Sequence, residues 1–270
     1  MNRINTMFLM IMLNGSLALA GGSAKLRVEG STTVLPIAQL AAEEFMNANP
    51  DVTISIQGGG SGVGVASLIE GTCDIADASR AMKDDEIKKA VDKGVNPVAH
   101  VVAMDGIAVI LHPTNKVKNL TIEQIRKIYT GKISNWKEVG GEDKKIVVLS
   151  RDSASGTFEA FASLALGGEK VRKDALMNAS NQAIATTVEK TPGAIGYIGA
   201  GYVSSKVKAV TVESVVCVKK DILTKAYPLS RPLFMYTNGK PKGAVKDFLD
   251  FILSEEGQAL VETVGYVGLK

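Results

Sequence analysis

The stretch Ser150–Phe158, SRDSASGTF, sets one arginine among serine and threonine hydroxyls around a glycine. Arg151 brings a permanently charged planar fork suited to oxyanions, and Ser153, Ser155 and Thr157 bring hydroxyl donors. The apolar run Ile146–Leu149 before it predicts a short buried strand. Phe158, Phe161, Leu164 and Ala165 after it recur at helical spacing. A strand therefore delivers the chain to a hydroxyl-rich turn, and a helix leaves from that turn. The unpaired N–H groups of a helix start favour an anion. The plainer reading is an N-capping turn with a surface arginine.

The same arrangement recurs. Leu26–Glu29 reads as a strand running into Gly30-Ser31-Thr32-Thr33, and Pro36 opens a helix with Ile37, Leu40, Ala41 and Phe45 on one face. Val52–Gln57 runs into Gly58–Gly64, followed by Val65, Leu68 and Ile69 at helical spacing. Asp74–Ala78 reads as a further strand, with Ser79 and Arg80 at its carboxyl end. Ligands of open α/β sheets bind outside the carboxyl ends of strands. The candidate anion-binding set is therefore Ser31, Thr32, Thr33, Ser61, Ser79, Arg80, Arg151, Ser155, Gly156 and Thr157. With Arg80 and Arg151 as cations, these groups could surround a compact tetrahedral dianion.

Competing chemistries lack parts. Gly58–Gly64 has no Gly-Lys-Ser/Thr ending and misses the G-x-G-x-x-G register. Val63 and Thr157 stand where G-x-S-x-G needs its final glycine. His100 and His112 are the only histidines, so a secreted phosphatase or esterase would have serines without a partner base. Neither histidine lies near a cysteine, and no metal or cofactor site is expected. A scaffold role would leave the three turns unexplained.

The chain has 270 residues, 46% hydrophobic and 22% charged, with a net charge of +3. That balance, without a basic block, gives no argument for nucleic acid. Residues 1–20 carry Arg3, an apolar run Met7–Leu13, and Ala18-Leu19-Ala20 before Gly21-Gly22. This is the layout of a signal peptide, too short to span a membrane, and no cysteine follows for a lipid anchor. A free exported protein, periplasmic or otherwise extracytoplasmic, is expected. Cys73 and Cys217 read as small buried apolar residues rather than a disulfide framework.

Strand and helix patterns alternate along the chain, which predicts an α/β fold with parallel sheets and covering helices. Val95–Ala103 and Gly106–Leu111, separated by Met104-Asp105, read as one path crossing between two lobes, and Tyr227–Pro232 as the return. One lobe is expected to comprise residues 24–104 and 226–270, the other 105–225. Thr121-Ile-Glu-Gln resembles a capping box, and Trp136 reads as a core anchor.

Several motifs resemble the periplasmic phosphate-binding proteins of bacterial and archaeal phosphate ABC importers. They are Gly30-Ser-Thr-Thr-Val-Leu-Pro, Gly58-Gly-Gly-Ser-Gly-Val-Gly, Asp74-Ile-Ala-Asp-Ala-Ser-Arg and Arg151-Asp-Ser-Ala-Ser-Gly-Thr-Phe. Leu120–Gly141, Thr191–Tyr197 and Tyr227–Leu233 extend the match in the family's order over nearly the whole chain after the signal segment. The resemblance implies a type II periplasmic-binding-protein fold: two α/β lobes, two crossover segments and a ligand cleft between the lobes. It implies passive capture of inorganic phosphate by a monomer and delivery to the importer's membrane subunits, with no chemistry. Thr32 and Thr33 match the family's first phosphate-binding turn, Ser61 the second, and Arg151, Ser155, Gly156 and Thr157 the turn of the other lobe.

One position departs from the pattern. The best-known members end the third strand with an aspartate that accepts phosphate's proton; this chain has Arg80, as related members do. Arg80 keeps sulfate, molybdate or tungstate open as alternative ligands. The acceptor must come from elsewhere: Asp77 if a bend turns it inward, Asp152, a carbonyl, or a hydroxyl. Phosphate binding with weaker exclusion of sulfate is the expectation.

Overall fold

The computed structural model describes residues 23–270, and the expected signal peptide, 1–20, lies outside them. β1 (Ala24–Gly30) pairs in parallel with β2 (Val52–Gly58) on one side and β3 (Ile75–Ala78) on the other. These strands feed α1 (Leu35–Ala48), α2 (Ser61–Ile69) and α3 (Asp84–Asp92). β4 (Pro97–Leu111) is one unbroken strand of 15 residues. Next come β5 (Asn119–Leu120), α4 (Ile122–Tyr129), β6 (Val147–Arg151), α5 (Gly156–Phe161), β7 (Leu176–Asn178) and α6 (Asn181–Lys190). β8 (Ala194–Gly199), β9 (Lys208–Ala209), β10 (Thr211–Val212) and α7 (Lys219–Leu223) follow. β11 (Ser230–Asn238) returns, and α8 (Gly243–Leu253) and α9 (Glu255–Thr263) complete the chain.

The main sheet runs β2-β1-β3-β11-β4-β8-β6-β7, with β9 beside β4. It is mixed rather than parallel throughout. β4 and β11 are antiparallel from Gly106↔Ser230 to Pro97↔Asn238, and β4 is antiparallel to β8. A strand leaving one lobe and a strand returning to it must run in opposite directions, which alternation alone did not reveal.

The core divides at these crossings. Val28, Ile37, Phe45, Ala103, Leu233, Phe248 and Val261 share one cluster, so α8 and α9 pack with α1. Ile107, Tyr129, Trp136, Phe161, Tyr197 and Leu229 share another. α1 follows its apolar spacing, with Pro36 in its first turn and Ile37, Ala38, Ala41, Ala42 and Phe45 buried. Trp136 is fully buried, and its Nε1 donates to Gly193 O at 2.8 Å. The capping box at α4 is present, with Thr121 Oγ1 accepting from Gln124 N and Gln124 Oε1 from Thr121 N. Cys73 and Cys217 are free thiols, each pushed up to about 12 chiefly by burial.

Candidate anion-binding site

The turns after β1, β2, β3 and β6 converge where the two cores face each other. Ser31 Oγ accepts from Thr33 N at 3.1 Å, which shapes the first turn. Ser61 opens α2, and its Oγ accepts from Ser79 N at 3.0 Å and lies 3.3 Å from Ser79 Oγ. Ser155 caps α5 by accepting from Phe158 N at 3.1 Å. Gly156 can only be glycine here: a Cβ would collide with Ser61 Oγ and sit 2.8 Å from Ser79 Oγ. Gly60 has φ +103°, and a Cβ on it would lie 2.5 Å from Ala154 O. This close approach lets Gly62 N donate to Ala154 O at 2.9 Å, joining the second turn to the fourth.

Arg151, the last residue of β6, is 1% exposed. Its Nε donates to Asn178 O at 3.1 Å, and its Nη2 to Ala179 O at 2.9 Å and Thr32 Oγ1 at 3.2 Å. Its Nη1 is buried with no protein partner, and no carboxylate forms an ion pair with Arg151 among the described residues. Burial pushes the guanidinium below its ordinary pKa. A buried cation held only by carbonyls and a hydroxyl calls for an anion.

A second arginine, Arg231 of β11, completes the cluster and was not foreseen as a site residue. Its Nε and Nη2 donate to Asp105 Oδ2 at 2.9 and 2.8 Å, and its Nη1 to Ser79 O at 3.0 Å. The same Nη2 lies 3.0 Å from Thr157 Oγ1 and 3.4 Å from Thr33 Oγ1. Burial pushes the Asp105 carboxyl up, while Arg231 and the Ala200 N–H pull it back. Asn181, the first residue of α6, also joins: its Nδ2 donates to Thr32 Oγ1 at 3.1 Å and Thr33 Oγ1 at 3.0 Å. Thr33 and Thr157 hydroxyls are 2.8 Å apart, and Tyr202 OH donates to Thr32 O at 2.6 Å. The turns after β1 and β6 are thus in direct contact.

Arg80 does not join this cluster. Its Nη1 and Nη2 donate to Glu86 at 2.8 and 2.7 Å, and its Nε is 2.5 Å from Glu159 Oε2 in ion-pair contact. Burial acts to lower the guanidinium's pKa, but Glu86 and Glu159 hold it above its ordinary value. Both carboxylates draw the fork away from the hydroxyls that surround Arg151. Asp77 stays out as well: it is buried in register with Gly30 and Met235, and its Oδ1 has no partner. Asp152 Oδ1 accepts from Ala154 N at 3.1 Å, a local turn contact. The remaining predicted residues, Ser31, Thr32, Thr33, Ser61, Ser79, Arg151, Ser155, Gly156 and Thr157, lie in or beside the converging turns.

The model of a PBP superfamily domain matches residues 18–256. The phosphate-binding protein PstS of Bacillus subtilis is 36% identical over 247 residues, covering 91% of this chain and 81% of that protein. The chain belongs to the PstS family. A phosphate ABC transporter substrate-binding protein from Clostridium perfringens, solved with bound phosphate, shares 39% identity. It superposes with a TM-score of 0.85 over 91% of this chain and 100% of its own. An ABC-type phosphate transport receptor from Vibrio cholerae gives 34% identity and 0.75 over 90% and 99%. The PstS-family fold is the two-lobed periplasmic-binding architecture, with β4 and β11 as its crossings.

Proposed function

We propose that this protein captures inorganic phosphate between its lobes and delivers it to the membrane subunits of an ABC importer, without catalysis. The observation that carries this reading is Arg151: a buried guanidinium with an unpartnered Nη1, no ion-paired carboxylate, and the Thr32 hydroxyl beside it. A compact oxyanion supplies the missing charge and several acceptors at once. The named phosphate binders among its relatives support phosphate as that oxyanion. The receptor acts as a monomer. Residues 24–104 with 226–270 act as one moving body and 105–225 as the other. The signal-peptide layout of residues 1–20 supports an extracytoplasmic site of action, and no helix among the described residues is long and apolar enough to cross a membrane.

A second reading keeps the site and widens its ligand to sulfate or molybdate. Asp105 is the carboxylate in the cluster, and its oxygens are taken by Arg231 and Ala200 N. No contact in the cluster offers phosphate's proton a free carboxylate, so sulfate is rejected less firmly than a charged acceptor would reject it. Native mass spectrometry of purified protein tests both readings, followed by titration of stripped protein with phosphate, sulfate and molybdate. A mass increment of phosphate with preferential phosphate binding supports the first; preferential sulfate or molybdate supports the second. No bound oxyanion and no response to any of the three contradicts both.

A further inference from the structure

Asn181 is fully buried and, among the described residues, hydrogen-bonds no charged group, yet its amide fixes the direction of a hydroxyl proton. Gly199 N–H donates to its Oδ1 at 3.1 Å. A backbone N–H can only donate, so this contact decides which side of the amide is oxygen. Its Nδ2 therefore faces Thr32 and Thr33 and gives one hydrogen to each hydroxyl oxygen, at 3.1 and 3.0 Å.

The consequences follow from counting lone pairs, two per hydroxyl oxygen. Thr32 Oγ1 accepts from Asn181 Nδ2 and Arg151 Nη2, so its own O–H is free only to donate. Thr33 Oγ1 accepts from Asn181 Nδ2 at 3.0 Å and lies 3.4 Å from Arg231 Nη2, whose two hydrogens already go to Asp105 Oδ2 at 2.8 Å and Thr157 Oγ1 at 3.0 Å. Thr33 therefore keeps a lone pair, and its 2.8 Å contact with the Thr157 hydroxyl can run either way. The Ser61–Ser79 pair is reversible too. Ser61 Oγ accepts Ser79 N, and the remaining 3.3 Å contact between the two hydroxyls can run either way.

We infer that Asn181 is a positioning residue for specificity: with Arg151 it fills both lone pairs of Thr32 and makes that hydroxyl an obligate donor, while the Thr33–Thr157 and Ser61–Ser79 pairs stay reversible. The site then disfavours a proton on the ligand where it faces Thr32, because that proton meets another. Only the reversible pairs can turn to accept one. This inference rests on the phosphate reading above for its ligand. Without Asn181, Thr32 regains a lone pair, so more of the site tolerates a protonated ligand.

The test is isothermal titration of inorganic phosphate and of sulfate at mildly acid and mildly alkaline pH. Across that range phosphate passes from monoanion to dianion, while sulfate carries no proton at either end. In the wild type, phosphate affinity is expected to rise with pH. In Asn181→Ala, alkaline phosphate and sulfate at both pH values should weaken by about tenfold, the scale of one hydrogen bond to an ion. Acid phosphate should weaken less, giving a shallower pH profile. Thr32→Val removes the hydroxyl that Asn181 orients, should flatten the profile likewise, and should add little in the double variant. Loss by one common factor for both anions at both pH values, or full additivity, would overturn the inference. If Asn181→Ala does not fold, Thr32→Val decides alone, by a flattened or an unflattened profile. Wild-type protein that binds neither anion would instead refute the phosphate reading itself.

Discussion

Arg231 places two N–H groups on a single oxygen of Asp105, at 2.9 and 2.8 Å, in a pair 4% and 0% exposed by side chain. The pair sits where β4 and β11 cross, and it fixes the guanidinium that also reaches Thr157 and Ser79 O. Among the described residues Arg151 has no such carboxylate. Of these two buried arginines, one is neutralised by the protein and the other keeps an unpartnered Nη1.

Asp105→Asn should therefore be strongly destabilising in ligand-free protein, by about 3–5 kcal/mol, because it leaves Arg231 buried without its counter-ion. Urea unfolding at neutral pH measures this. A loss below about 1 kcal/mol would mean that water or another group replaces the carboxylate.

Arg80, after β3, pairs with Glu159 of α5, and Lys83 Nζ lies 2.7 Å from Glu159 Oε1. Glu159→Gln should weaken phosphate binding by a few-fold, about 1 kcal/mol, through faster release from a less stable closed form. The effect should shrink as salt rises, because the Lys83 arm is half exposed. Stopped-flow release at low and high salt distinguishes this from direct contact. An unchanged release rate would remove the pair from closure.

Much of the candidate site is local and legible in the sequence. Arg151, Ser155, Gly156 and Thr157 lie within one strand–turn–helix, and the hydroxyl–glycine composition of that turn marks it as an anion-site candidate. Asn181 reaches Thr32 across 149 positions and Arg231 reaches Thr33 across 198, so nothing local in either residue signals its role. Arg80 was placed at the right strand end but aimed the wrong way. A local clue existed, since Glu86 follows Lys83 at capping-box spacing and is anchored by Lys83 N at 2.9 Å, within reach of Arg80. Leu164 falls at regular helical spacing with Phe158, Phe161 and Ala165. The chain instead widens into a π-turn at Ala162–Leu166, which leaves Leu164 39% exposed while Phe161 and Ala165 stay buried.

Asp77 gives a pH signature. Burial pushes its carboxyl well above the ordinary aspartate range, and its Oδ1 has no partner. A folded-state pKa raised above the unfolded one means that stability is fully present below the unfolded pKa and falls as pH rises toward the folded pKa. Asp77→Asn removes that fall. Its melting temperature should match the wild type in acid and exceed it increasingly toward alkaline pH. An offset that does not vary with pH would show that Asp77 is not held protonated.

The contacts of Thr32, Thr33 and Gly62 with Arg151, Thr157 and Ala154 join the two bodies proposed to move. Ligand entry needs the lobes apart, so stripped protein should show a larger radius of gyration by small-angle scattering than phosphate-bound protein. Identical scattering from verified ligand-free and loaded samples would argue against hinge closure.

The most direct test of the account is calorimetric titration of stripped protein with phosphate, wild type against Arg151→Ala, with the fold of each checked by circular dichroism. Removing a buried charged partner costs about 2–5 kcal/mol, so the variant should bind on the order of 30-fold or more weakly. A loss smaller than about threefold in a folded variant, under 0.7 kcal/mol at roughly 1.4 kcal/mol per tenfold, would place phosphate away from Arg151 and contradict the account.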